Sequence, residues 1–225
     1  MKAMVLFSGG LDSTTALAMA VAKYGKDNVV ALSISYGQKH IKEIEASNNI
    51  AAYYGVEHIY LDLSKIFMYS SCSLLEKNDK AIPEGEYKEQ LNESKILDTY
   101  VPFRNGLFLS SAAAIAISKD CSVIYYGAHS DDAANAYPDC SKEFNDHMNE
   151  AIYIGSGGLV KVEGPFINLH KRDVVKIGLK HNAPYHLTWS CYEGNEKACG
   201  RCATCLDRKK AFEANGVVDP IDYEE

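Results

Sequence analysis

Short apolar runs recur along most of this chain, and stretches patterned for helices separate them. Ala3–Phe7, Val29–Tyr36, His58–Leu63 and Val123–Ala128 read as strands, and Val160–Glu163 as a short strand or extended link. Runs of this length, ended by turn residues, are buried strands. Thr14–Tyr24, rich in Ala, Leu and Met, reads as a helix stopped by Gly25; Lys42–Tyr54 is stopped by Gly55. Leu107–Ser118, Asn145–Ile154 and Lys171–His181 extend the helical series, and Cys205–Asn215 is its last member. Strands joined through helices run parallel, because a crossover must carry the chain back to the same edge. The predicted fold class is therefore α/β: a doubly wound, Rossmann-like parallel sheet with helices on both faces. One stretch breaks the rhythm. Phe67 to Tyr100 is polar and irregular, with Pro83 and Gly85, and is predicted to be a surface insertion or lid.

A chain of 225 residues buries a sizeable core without disulfide staples. We expect one domain over residues 1–225, with residues 187–215 a metal-tied segment within it. Thirty acidic residues against 23 basic ones leave a net charge of −7. That balance speaks against nucleic acid or an anionic membrane as main partner, since both favour a basic face. No stretch approaches the roughly 18 apolar residues of a membrane span, so a cytoplasmic location with reduced thiols is expected. In that compartment seven cysteines point to metal or catalysis rather than disulfides.

The first glycine turn has the make-up of an anion cradle. Ser8-Gly9-Gly10-Leu11-Asp12-Ser13-Thr14 follows the first strand and opens the first helix. Two glycines allow a tight turn and close backbone approach. The N–H groups of a first helical turn have no intrahelical partner, and the helix dipole adds about half a positive charge there. A phosphate chain fits such a site without a lysine. The Walker-type and dinucleotide fingerprints, Gly-x-x-x-x-Gly-Lys-Ser/Thr and Gly-x-Gly-x-x-Gly, are both absent from this turn.

The second cluster is Cys191-x7-Cys199-x2-Cys202-x2-Cys205. Four thiolates complete a tetrahedral Zn²⁺ site, which leaves no open position and so marks a structural role. Gly194 and Gly200 supply the flexible backbone of such knuckles. Iron–sulfur ligation uses the same ligands, and a redox Cys-x-x-Cys pair would use two of them. Arg201, Arg208, Lys209 and Lys210 lie nearby, either as a nucleic-acid contact or as complements to the helix carboxyl end. Cys72 and Cys121 read as packing residues. Tyr36-Gly37-Gln38-Lys39-His40 ends the second strand, where ligands of open parallel sheets sit, so Lys39 and His40 are candidate nucleotide contacts. Arg104, after an extended Val-Pro, suits bidentate binding of phosphate or carboxylate. Asp131, Asp132 and Asp139 follow another strand end and suit purine-like N–H groups or Mg²⁺.

The string Ser-Gly-Gly-x-Asp-Ser at Ser8–Ser13 resembles the PP-loop of the ATP pyrophosphatase superfamily, whose sheet is adenine-nucleotide α-hydrolase-like. With the four-cysteine tail, Tyr36–His40, Val101-Pro102-Phe103-Arg104-Asn105 and Tyr137-Pro138-Asp139-Cys140, the chain is similar over nearly its whole length to the 7-cyano-7-deazaguanine synthase family of the queuosine pathway. It departs where Phe103 replaces the family's usual Gly, and in Ala128–Asp132. The resemblance implies that ATP activates the carboxylate of 7-carboxy-7-deazaguanine as an acyl adenylate, ammonia forms the amide, and a second ATP carries the amide to the nitrile. It implies ATP contacts from Phe7, Ser8, Gly9, Gly10, Leu11, Asp12, Ser13, Thr14 and Lys39, with Asp12 organising Mg²⁺. Asp12, Ser13 and Arg104 are the implied catalytic residues, and Arg104, Asn105, Asp132 and Asp139 the implied substrate contacts. It further implies zinc on Cys191, Cys199, Cys202 and Cys205, and a homodimer. Other readings stay open: a different PP-loop enzyme such as a tRNA thiolase, with Cys140 as its catalytic cysteine, or an amide-forming ligase, or a nucleotide-binding zinc module without turnover.

Overall fold

The structure, a computed structural model, describes residues 1–39, 41–91, 97–134, 137–193 and 196–224. His40 and Gly194 therefore lie outside the described residues. Strands β1 (Lys2–Leu6), β2 (Val29–Ser35), β3 (Glu57–Asp62), β4 (Cys121–Tyr125) and β5 (Lys161–Glu163) form one sheet in the order β3-β2-β1-β4-β5. Every pairing is parallel, with Val5 opposite both Ala31 and Tyr125. The order reverses direction on either side of β1, so β1 and β4 flank the switch point where open α/β sheets bind ligands.

Helices α1 (Leu11–Tyr24), α2 (Ile41–Tyr54), α3 (Ser64–Phe67), α4 (Tyr87–Leu91), α5 (Arg104–Ser118), α6 (Ser130–Ala134), α7 (Lys142–Gly155), α8 (Lys171–Lys180) and α9 (Ala203–Glu213) complete the architecture. The two-residue period of the strands divides the core into two layers. Ala3, Val5, Val29 and Ala31 face α1, α2, α8 and α9 through Leu17, Ile50, Val174 and Phe212. Met4, Leu6, Val30 and Leu32 face the other way, onto Leu109 and Ala112 of α5 and Ile152 of α7. This is the doubly wound α/β sheet that the alternation of strands and helices predicts.

Two differences from the sequence reading have local causes. Helix α5 starts at Arg104 rather than Leu107, because Phe103 takes a left-handed φ of 55° and turns the chain directly into the helix. The polar stretch after Phe67 is anchored rather than solvated. Cys72, Leu74 and Leu75 are buried against Tyr36, Phe67 and Val101. Backbone bonds from Lys39 N–H to the Leu74 carbonyl and from Glu76 N–H to the Gly37 carbonyl tie it to the end of β2. Three apolar side chains within a polar run are enough to sink it.

Candidate active site

The glycine turn lies at the carboxyl end of β1, over the switch point. Gly9 has φ of +81°, and a Cβ on it would fall 2.6 Å from the Ser47 backbone nitrogen and 2.9 Å from the Glu43 carbonyl oxygen. Only glycine satisfies both the conformation and the close approach of α2. The two serines shape the loop. Ser13 Oγ accepts the Ser8 N–H at 3.2 Å and lies 3.2 Å from the Gly10 carbonyl; Ser8 Oγ accepts the Gly10 N–H at 3.2 Å. The N–H groups of the first turn of α1 remain without intrahelical partners. Gly127, just beyond β4, passes so near this turn that a Cβ would meet Asp12 and the Ser13 nitrogen at 3.1 Å. The Gly9 carbonyl accepts the Trp189 N–H at 3.0 Å, which joins the loop to the cysteine segment.

Charge is concentrated beside the loop. Lys171, the first residue of α8, places Nζ 3.1 Å from Asp12 Oδ2. Burial alone would lower the Lys171 pKa, but Asp12, Asp132 and Asp207 outweigh it and hold the ammonium well above its ordinary value. His129 is buried, and among the described residues both its ring nitrogens lack a hydrogen-bond partner; its Nε2 lies 3.5 Å from Asp132 and 3.8 Å from Asp12. Asp12 Oδ1 is likewise buried without a donor. Asp131 serves the fold, because it accepts the Lys171 N–H at 2.8 Å and meets His170 Nδ1 at 2.7 Å. Burial would raise its pKa, yet these two donors leave it lowered.

A cavity of about 250 Å³ opens over this arrangement. It brings Phe7, Ser8, Gly10, Leu11, Asp12 and Ser13 together with Arg104, Asn105 and Asp132, which lie far apart in sequence. Gly9 and Thr14 stand outside its wall, and Lys39 reaches instead to the Lys80 carbonyl at 2.7 Å. Asp139 also stands outside. Its carboxylate accepts the Asn105 N–H at 2.9 Å, so it caps the start of α5. Burial raises the Asp139 pKa against the pull of that N–H and of Arg104. Arg104 Nη1 sits 3.4 Å from the Tyr36 hydroxyl, with the guanidinium 5.2 Å from the ring centre. Cys140 accepts a hydrogen bond from Asn105 Nδ2, and burial pushes its thiol well up, away from the thiolate. Glu43, Lys171 and Trp189 also line the cavity. Sequence reasoning missed all three because each sits inside an ordinary-looking helix or tail, and only the tertiary fold turns it inward.

The cysteine segment forms the far side. The sulfurs of Cys191, Cys199, Cys202 and Cys205 all lie within 4.8 Å of one another and are buried. A tetrahedron with bonds of about 2.3 Å needs neighbouring sulfurs at roughly 3.8 Å, so this donor set fits a metal. Backbone N–H groups of Glu193 and Cys199 point to Cys191 Sγ, and that of Cys202 to Cys199 Sγ, as thiolates require. Gly200 adopts φ of +74° between the ligands. The basic residues nearby make contacts within the chain, and Lys210 lies in the last turn of α9. Arg208 is fully buried; it grips Asp219 at 2.7 and 2.9 Å and donates to Thr188 Oγ1 and the Tyr185 carbonyl. Arg201 pairs with Glu84 and Glu224, Lys209 lies over the Tyr223 ring, and Lys210 pairs with Glu86.

A parallel sheet with a glycine turn at its switch point and open helix N–H groups beside it is an α/β fold of the PP-loop type. The U34-tRNA thiolase of Methanococcus maripaludis, solved with its [4Fe-4S] cluster, has this fold: the TM-score is 0.50 at 18% identity, over 96% of this chain and 66% of the thiolase. The family described as "Queuosine biosynthesis protein QueC" matches residues 2–216, and the chain belongs to that family. The 7-cyano-7-deazaguanine synthase of Caldicellulosiruptor saccharolyticus is 44% identical over 224 residues, covering 100% of this chain and 96% of the relative. That of Archaeoglobus fulgidus is 41% identical over 222 residues, covering 98% and 90%. Among the described residues no helix is long and apolar enough to cross a membrane.

Proposed function

We propose that this protein is an ATP-dependent ligase that converts 7-carboxy-7-deazaguanine and ammonia to 7-cyano-7-deazaguanine. The observation that carries the reading is one cavity holding an anion-binding helix terminus and two half-buried cations, in a chain that matches its family over residues 2–216. The N–H groups at the start of α1 receive the pyrophosphate end of ATP. Lys171 and Arg104 border the same space, so negative charge that gathers as pyrophosphate departs meets fixed positive charge. The orphaned Asp12 Oδ1 fits a divalent cation, and Mg²⁺ held there with the phosphates would spread the charge of the leaving group. Asn105 and Asp132 face the substrate, whereas Asp139 acts through Asn105 by holding the start of α5. Cys191, Cys199, Cys202 and Cys205 would hold zinc with no open position, and it would tie the cavity's far wall.

Acid and amide are each activated by AMP transfer to a carbonyl oxygen, so one site serves both activations. The buried, protonated Cys140 thiol counts against a sulfur-transfer reaction. The family reading also carries a cytoplasmic homodimer, which sedimentation velocity checks. The decisive experiment incubates purified protein with the acid, ATP, Mg²⁺ and ammonium, then weighs the product by mass spectrometry and counts AMP. We expect nitrile with two AMP per product. Absence of nucleotide turnover with this acid would sink the proposal.

A further inference from the structure

Among the described residues, every charged group that lines the cavity is in hydrogen-bond or ion-pair contact except one. Asp12 is paired with Lys171, Asp132 neighbours His129, and Arg104 lies over Tyr36. Glu43, in the first turn of α2, also lines the cavity. Among the described residues no hydrogen bond or ion pair reaches its carboxylate. Its backbone rests on the phosphate loop, since its carbonyl oxygen is 2.9 Å from where a Gly9 Cβ would be. Its side chain therefore borders the same cavity as Ser8, Gly10, Asp12 and Ser13 of that loop. Across from it stand the Arg104 guanidinium and the Tyr36 hydroxyl, the groups that couple to it electrostatically.

We propose that Glu43 is the general base of this enzyme, taking the protons that the nitrogen sheds in both the amide-forming and the nitrile-forming steps. The inference rests on the proposed function above. When ammonia attacks the acyl adenylate, the new C–N bond leaves a positive nitrogen. Glu43 accepts one of its protons, and the C–O bond to AMP breaks with its electron pair leaving on the phosphate. In the second round the amide oxygen bonds to the α-phosphate, pyrophosphate leaves, and the nitrogen loses one proton. As AMP then departs with the C–O pair, Glu43 takes the last N–H proton, and that N–H pair becomes the third C–N bond. Each proton passes from Glu43 to solvent between steps. Burial in the cavity wall pushes the Glu43 carboxyl up to about 7, against the pull of Arg104. A base poised near the working pH is the effective one.

The test separates activation from proton removal. With acid, ATP and pyrophosphate but no ammonium, ATP–pyrophosphate exchange reports acyl adenylate formation alone. Glu43→Gln is expected to keep exchange within about threefold while nitrile formation from the amide falls on the order of 100-fold, as loss of a general base does. Starting from the amide removes the titration of ammonium itself. Wild-type conversion of amide to nitrile should fall as the pH drops through about 7, and Glu43→Asp should restore part of the rate together with that acid limb. Retention of nitrile formation within about threefold in Glu43→Gln overturns the inference. So does equal loss of exchange and nitrile formation in a folded variant, which would make Glu43 a binding residue. If Glu43→Gln does not fold, a wild-type profile without the acid limb overturns it alone. Wild-type protein lacking exchange altogether breaks the proposed function instead.

Discussion

The glycine loop and the cysteine segment are joined by a backbone hydrogen bond, Trp189 to Gly9, yet different forces hold them. The loop belongs to the sheet. Its shape follows from neighbouring residues, from Ser8 and Ser13 bonding back across two glycines, and from α2 packed hard on Gly9. The segment has little apolar core of its own. Four sulfurs, Trp189, Tyr192, Ile221 and Tyr223 make one small cluster, and Arg208 locks it from beneath through Asp219. Local geometry builds the first region; long-range polar links and four clustered cysteine sulfurs build the second.

Treating the protein with a chelator, to strip a metal from the four cysteines proposed to hold it, tests that contrast most severely. Structural zinc contributes on the order of 10–16 kcal/mol of apparent binding free energy, which is folding free energy for the segment it ties. Chelation should redshift the emission of Trp189, the single tryptophan, while the far-ultraviolet circular dichroism of the sheet and its helices persists. Simultaneous melting of both signals would show that the two regions form one cooperative unit.

Next comes the buried ion pair. Arg208→Met leaves Asp219 charged and only 6% exposed, a situation that costs about 3–5 kcal/mol. Urea unfolding followed through Trp189 should show a midpoint lowered accordingly. A double variant that also removes the Asp219 charge should recover most of the loss.

On the loop side, Gly9→Ala meets both a positive φ and a 2.6 Å contact with backbone. The left-handed conformation alone costs roughly 1–2 kcal/mol for a residue with a Cβ. Nucleotide affinity measured by calorimetry should fall at least tenfold, with a smaller shift in the unfolding midpoint. Equal effects on both would mean that the loop is an integral part of the core.

The smallest effect is expected at Phe103, a bulky residue at φ of 55° that is 58% exposed. Phe103→Gly removes the strain but forfeits the ring's edge contact with Phe144, 5.9 Å between centroids. The net should be a gain below about 1 kcal/mol, read as a slightly higher melting temperature with pyrophosphate exchange unchanged.

The same contrast decides what can be read from sequence. Ser8–Thr14 is legible because strand, turn and helix start are contiguous, and the chemistry of the turn lies within one short string. The cysteines are legible because their spacing is itself the ligand geometry. Lys171 is not, since its partner Asp12 comes from the other end of the chain. Asp139 looks like a free carboxylate in sequence and proves to be the cap of α5, a role only the approach of Asn105 discloses. Arg208 looks like one of a basic cluster, and its burial depends on Asp219 and the folding back of residues 216–224. Leu74 and Leu75 are hidden in polar surroundings because so few apolar side chains make no period.

The polar stretch after Phe67 reaches its final place through partners more than a hundred residues later. Glu84 pairs with Cys202 and Arg201, and the Gly85 N–H bonds to the Arg201 carbonyl. Ala198 in turn exchanges backbone bonds with Asp222 and Glu224. On the ribosome, where folding proceeds from the amino terminus, the central strands have all emerged before any of these partners. A nascent chain can thus assemble its scaffold early while its catalytic chamber stays open on one side until residues 198–224 have followed. Activity is in this way coupled to the progress of translation, because Ala211 and Phe212 of α9, which complete one face of the core, are among the last parts to emerge.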